Sequence, residues 1–172
     1  MAVLMMSVML IAGCSSGEEA APAADKKSGT TTIGFSISTL NNPFFVSVKD
    51  GVEAKAKELG VNVKIVDEQN DPAKQANDVA DLLQQGVSVL LVNPVDSAAI
   101  STSVEAANKA KLPVIALDRS ADKGTIASLV ASDNVKGGEM AAEYIIKKLG
   151  EGVKVAELEG IPGASATRER GE

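Results

Sequence analysis

Asp118 and Arg119 stand side by side directly after the apolar run 113–117. A carboxylate offers only acceptors and a guanidinium only donors, the latter in a rigid fork. A polyol needs both, because each hydroxyl donates and accepts. Hydrogen bonds to charged groups contribute roughly 1.5–3 kcal/mol, against about 1 for neutral ones. Two such residues supply much of a micromolar affinity. A solvated loop start accounts for one charge here; the adjacent pair asks for more. A second group is Asn41-Asn42-Pro43-Phe44-Phe45. Asn42-Pro43 reads without any ligand as a helix cap followed by a first helical residue. Phe45 falls on the apolar stripe of that helix, so core packing alone explains it. Phe44 lies about 100° round the helix from that stripe, and an aromatic there needs something to cover. A third group, Arg168, Glu169, Arg170 and Glu172, reads residue by residue as surface charge.

Composition removes other chemistries. The 172 residues carry a net charge of −6, no His and a single Cys. An acidic chain lacks the basic surface that a phosphate backbone requires, so nucleic acid is not an expected partner. Without His there is no imidazole base and no Cys/His zinc set, and one Cys cannot close an internal disulfide. No metal and no cofactor are expected. Gly160 and Gly163 follow an apolar run, but their spacing is not Gly-x-Gly-x-x-Gly and no Gly-Lys-Ser/Thr follows, so a nucleotide loop is a weak reading. Carbohydrate hydrolysis needs two positioned carboxylates, and no loop offers a clear pair beyond Asp118 and its neighbours. The chain is expected not to be an enzyme.

The elements that must position these residues alternate at intervals of roughly 25 residues. Strands are expected over 31–38, 61–66, 87–92, 113–117, 127–131 and 153–158. Between them come a helix over 43–59 with Phe45, Val48, Val52, Ala56 and Leu59 on one face, closed by Gly60, and one over 72–85 with Ala76, Val79, Ala80 and Leu83 as its stripe. Further helices are expected over 97–110, with Asp96 as N-cap, and over 137–149. Continuous apolar strands are buried on both faces, which predicts an α/β doubly wound parallel sheet. Ligands of such sheets bind beyond the carboxyl ends of the strands, where Asn42, Asp118 and Arg119 fall.

The first 13 residues are apolar and small, too short for the roughly 20 that span a bilayer, and read as a secretory signal. The basic segment that normally opens one is missing, which points to a start upstream of Met1. Leu10-Ile11-Ala12-Gly13-Cys14 resembles the lipobox of bacterial lipoproteins, with Cys14 as the acylated residue. Residues 14–30, rich in Ser, Gly, Ala, Pro, Glu and Lys, read as a lipid-anchored flexible tether.

The segments 38–51, 93–97, 113–119, 131–134 and 160–172, in this order, resemble the periplasmic sugar-binding proteins of ABC importers, the ribose-binding branch above all. The resemblance covers everything from Thr31 onward. It implies a first sugar-binding lobe over 31–132 and the start of a second, incomplete lobe over 133–172, hence a fragment that binds sugar poorly by itself. It further implies that Asn42 bonds sugar hydroxyls, that Phe44 and Phe45 flank the ring, and that Asp118, Arg119 and Arg170 grip hydroxyls. Ser132 and Asp133 become the interlobe hinge. The implied partners are a ribose-like monosaccharide, the transmembrane subunits of an ABC permease, and the membrane through the lipid anchor, outside the cytoplasm. A receptor for a furanose signal would use the same pocket chemistry. A lactose-repressor-type regulator shares the fold, but would begin with a basic helix-turn-helix rather than a lipobox.

Overall fold

The computed structural model describes residues 31–172. The apolar leader, Cys14 and the tether lie outside the described residues. Five strands, β1 (Thr32–Ile37), β2 (Asn62–Asp67), β3 (Val89–Val92), β4 (Val114–Leu117) and β5 (Ser128–Val130), pair in parallel in the order β2-β1-β3-β4-β5. Their side chains alternate between two faces. Leu90, Val92, Val114 and Ala116 pack with Val79, Leu82, Ile100 and Val104 on one side. Phe35 and Ile37 pack with Phe45 on the other, where Leu91 and Leu117 also fall. The sheet is thus covered on both faces through β1, β3 and β4, as the apolar runs predict, whereas all three residues of β5 are exposed.

The helices are α1 (Pro43–Leu59), α2 (Pro72–Gln84), α3 (Ser101–Lys109), α4 (Asn134–Leu149) and α5 (Ser165–Gly171). α1 starts where Asn42 accepts a hydrogen bond from the Phe44 amide, and stops at Gly60, whose φ of 66° favours a residue without Cβ. Leu59, expected on the buried stripe, is exposed, while Phe45 and Ala56 are buried. The buried face of α2 is also turned from expectation. Gln75, Val79 and Leu82 point inward, whereas Ala76 and Ala80 face solvent. A buried polar residue took the place that an apolar-only pattern gives to alanine. Asp96 accepts from the Ala98 and Ala99 amides at 2.9 and 2.7 Å, but it caps an irregular turn and α3 begins only at Ser101. α4 begins at Asn134, three residues before the expected start, because Asp133 caps it by accepting from the Lys136 amide at 2.9 Å.

The expected strand over 153–158 is not formed. Its residues are exposed, Leu158 to 99%. A strand needs a neighbour for its hydrogen-bond ladder, and no strand lies beside this segment among the described residues. No helix among the described residues is long and apolar enough to cross a membrane.

Candidate functional site

The chain runs from β1 outward to β2, then returns to the other side of β1 for β3. This reversal opens a crevice at the carboxyl ends of β1 and β3. Asn93, the first residue after β3, stitches that crevice together. Its Oδ1 accepts from the Ser38 amide at 3.2 Å and its Nδ2 donates to the Leu117 carbonyl at 2.9 Å. One buried carboxamide thereby fixes the ends of β1 and β4, the two strands that lead into Asn42-Pro43-Phe44-Phe45 and Asp118-Arg119.

At the first of these turns Phe44 and Phe45 meet edge to face, with centroids 5.2 Å apart and planes at 64°. They divide the work. Phe45 is 3% exposed and belongs to the core, while Phe44 is 54% exposed and projects over the crevice. Asn42 spends its Oδ1 on the Phe44 amide at 2.9 Å, which leaves its Nδ2 donors for a ligand.

At the second turn, Asp118 takes a φ of 64°, a left-handed conformation costly for a side chain with Cβ. Its amide donates to the Val130 carbonyl at 2.8 Å, the last rung to β5. The twist ends the strand alternation, so Asp118 and Arg119 both line the same crevice. The Arg119 guanidinium sits 5.2 Å over the Phe45 ring, donates to the Pro94 carbonyl at 2.9 Å, and has its Nε 3.5 Å from Asp118. Burial lowers the Arg119 pKa and the Asp118 charge opposes that shift. The result is a preorganised cation with guanidinium donors left over.

The crevice has two compartments that share Phe44, Phe45, Asp118 and Ser132. The apolar one, about 250 Å³, adds Val48, Asn93, Leu117 and Val130. The polar one, about 280 Å³, adds Asn42, Arg119, Thr167 and Arg170. All six residues expected to bind sugar therefore border one cleft, as does Ser132; Asp133 serves locally as the α4 cap. Arg170 arrives on α5, and there the fit is tight: a Cβ on Gly138 would lie 2.4 Å from the Arg170 carbonyl oxygen. α5 is moored to the turn after β3 by Ser97, whose amide donates to the Gly163 carbonyl at 2.9 Å and whose Oγ accepts from the Ser165 amide at 3.1 Å. Ser120 donates its amide to Ser165 Oγ at 3.0 Å, and Arg168 pairs with Asp122 at 2.7 Å. Arg168 is thus a tie at the seam rather than a free surface charge.

Two polar lining residues escape the sequence reading. Asn93 reads as the start of a helix turn, and only its burial to 1% exposure marks it. Thr167 sits among charged neighbours with no signal of its own. Among the described residues no group of three or more His, Cys, Asp or Glu is arranged to hold a metal.

The periplasmic binding protein domain matches residues 33–172. The ribose import binding protein RbsB of Bacillus subtilis (strain 168) is 59% identical over 171 residues, covering 98% of this chain and 56% of its own. That of Escherichia coli (strain K12) is 56% identical over 141 residues, 82% of this chain and 48% of its own. This chain thus spans about half the length of the curated relatives it matches. Among solved structures, a Caulobacter myo-inositol binding protein bound to myo-inositol superposes with a TM-score of 0.78 at 32% identity, over 84% of this chain and 49% of that one.

Proposed function

Because the chain belongs to the periplasmic binding protein family, we propose that it is the sugar-gripping half of a ribose-binding protein serving an ABC importer. One observation carries this reading: Asn42, Phe44, Phe45, Asp118, Arg119 and Arg170 border a single cleft at the strand ends. An aromatic face suits the C–H side of a sugar ring, and the carboxylate–guanidinium pair suits its hydroxyls. The identity with ribose import binding proteins supports ribose among monosaccharides. No step of chemistry is needed: the cleft binds and releases, and the relatives it matches are binding proteins.

In this reading the segment from Asp133 onward begins a second lobe, and Ser132-Asp133 flexes as the lobes close on the sugar. The closed form is what a membrane permease recognises. Delivery takes place outside the cytoplasm, where acylation of Cys14 in Leu10-Ile11-Ala12-Gly13-Cys14 would hold the protein at the membrane. A thermal-shift panel of pentoses and hexoses on the full-length protein tests the ligand. Ribose raises the melting temperature most; an equal or larger rise with glucose or galactose contradicts the assignment. Recovery of the full-length protein in the detergent phase, lost in Cys14→Ala, tests the anchor.

A further inference from the structure

Glu68, immediately after β2, is wholly buried, and its Oε2 has no hydrogen-bond partner. Its Oε1 accepts from Ser36 Oγ at 2.6 Å, and Ser36 Oγ in turn accepts from Gln75 Nε2 at 2.9 Å. Gln75 Nε2 also donates to the Asn93 carbonyl at 3.0 Å, while Gln75 Oε1 accepts from the Val95 amide at 2.8 Å. The Asn93 amide closes the loop on the Ser36 carbonyl at 2.8 Å. A continuous buried chain of hydrogen bonds therefore runs from Glu68 to the residue that fixes the ends of β1 and β4 under the cleft.

Ser36 needs only an acceptor, which a glutamine would supply without burying an ionisable oxygen. The carboxyl adds a charge that switches. The groups facing it are few. α2 presents Lys74, with Nζ 3.6 Å from Oε2, and Asp78, which Lys74 also holds. β1 and β3 present only Ser36 and Asn93, and neighbouring Asp67 is engaged with the Leu40 and Gln69 amides. We infer that Glu68 is a positioning residue for the sugar cleft, its ionisation tightening the Ser36–Gln75–Asn93 chain. An ionised acceptor strengthens the Ser36 bond and polarises the bonds in series behind it, Gln75 Nε2 to Ser36 Oγ and the Val95 amide to Gln75 Oε1, by ~10–30% per bond, which fixes the Gln75 carboxamide whose second N–H holds the Asn93 carbonyl. Burial, with Asp78 adding to it, pushes the Glu68 carboxyl up to about 7, against the pull of Ser36 and Lys74. The tightening therefore sets in around neutrality.

This rests on the sugar-binding reading, and the test separates the two. D-Ribose is titrated calorimetrically into the full-length protein from about pH 5.5 to about pH 8.5, in paired buffers of different ionisation enthalpy. Affinity rises by roughly threefold with a midpoint near the Glu68 pKa, and binding releases protons there. Glu68→Gln removes both effects. Lys74→Ala, on a partly exposed side chain that folding tolerates, moves the midpoint upward. A pH-independent affinity, or a slope that survives Glu68→Gln, overturns the inference. The side-chain amide of Asn93 in ligand-free protein, followed by 1H–15N NMR, reports the same midpoint without any sugar. If ribose fails to bind, the functional reading falls, and the Asn93 titration alone decides this one: a shift that Glu68→Gln abolishes upholds it, and a flat profile overturns it.

Discussion

Two stretches of this chain carry apolar residues at similar density and treat them oppositely. In the unit from Thr32 to Val130, Phe35, Ile37, Leu90 and Val92 are wholly buried between sheet and helices. From Asn134 onward, Met140, Tyr144, Ile146, Leu149 and Leu158 are half or more exposed. The first stretch closes its own core because successive strands find neighbours. In the second, α4 and α5 pack on each other, and no sheet lies beneath them among the described residues. The lesson concerns the cleft that lies between them. Its floor, made of Phe45, Asp118, Arg119 and Asn93, is held by a finished core, whereas Arg170 and Thr167 depend on a few polar ties at a seam.

The largest effect that sharpens this contrast is at Phe45. Truncating a core aromatic costs about 3–5 kcal/mol, so Phe45→Ala lowers the urea midpoint severely. Phe44→Ala, on an exposed ring, leaves it within about 0.5 kcal/mol while weakening sugar binding. Equal losses in the two variants would erase the distinction between the buried floor and the exposed ring.

Next comes the pH dependence of stability. A carboxyl whose folded pKa lies above its unfolded value stabilises the fold when protonated, and that contribution is lost as pH rises from the unfolded value to the folded one. For Glu68, raised from 4.5 to about 7, stability falls across that interval by on the order of 3 kcal/mol and then levels off. Glu68→Gln flattens the curve, as denaturant melts at several pH values would register. A rise in stability with pH that Glu68→Gln removes would contradict the burial of this group as an acid.

Much of this was legible in the sequence, for a physical reason. Period-two burial and apolar runs bounded by glycine follow directly from a sheet covered on both sides, so five strands and the α1 boundaries could be read. Among the residues that line the cleft, Phe44, Asp118 and Arg119 stand out by type and place at a strand end, whereas Asn42, Phe45 and Arg170 are singled out only by the family resemblance, because capping, core packing and surface charge explain them equally well. What escaped was determined by tertiary neighbours. The run over 153–158 has a strand's composition but no partner, and Gln75 occupies the inner face of α2 because Ser36, Asn93 and Val95 satisfy its amide. Asn93 looked like turn chemistry because its two long-range bonds, to Ser38 and Leu117, leave no local pattern.

The seam gives a smaller effect. A Cβ on Gly163 would lie 1.9 Å from Asp96 Oδ2, so Gly163→Ala costs about 1–3 kcal/mol in overpacking. It is expected to raise amide exchange at Ser97, Ser120 and Ser165 while leaving β1 and β3 protected. Faster exchange throughout the sheet would mean that the two stretches form one cooperative unit. The smallest effect is at Leu158, where Leu158→Ser alters stability by less than about 0.5 kcal/mol; a larger change in the denaturation curve would reveal packing that its exposure denies.

The proposed grip of the cleft on a sugar is tested most directly by a crystal structure of the full-length protein grown with D-ribose. The account predicts a furanose or pyranose ring lying against Phe44, with Asp118 and Arg119 each within hydrogen-bond distance of its hydroxyls and Arg170 reaching it from the opposite wall. Electron density for the sugar at a site touching neither Asp118 nor Arg119 would contradict it.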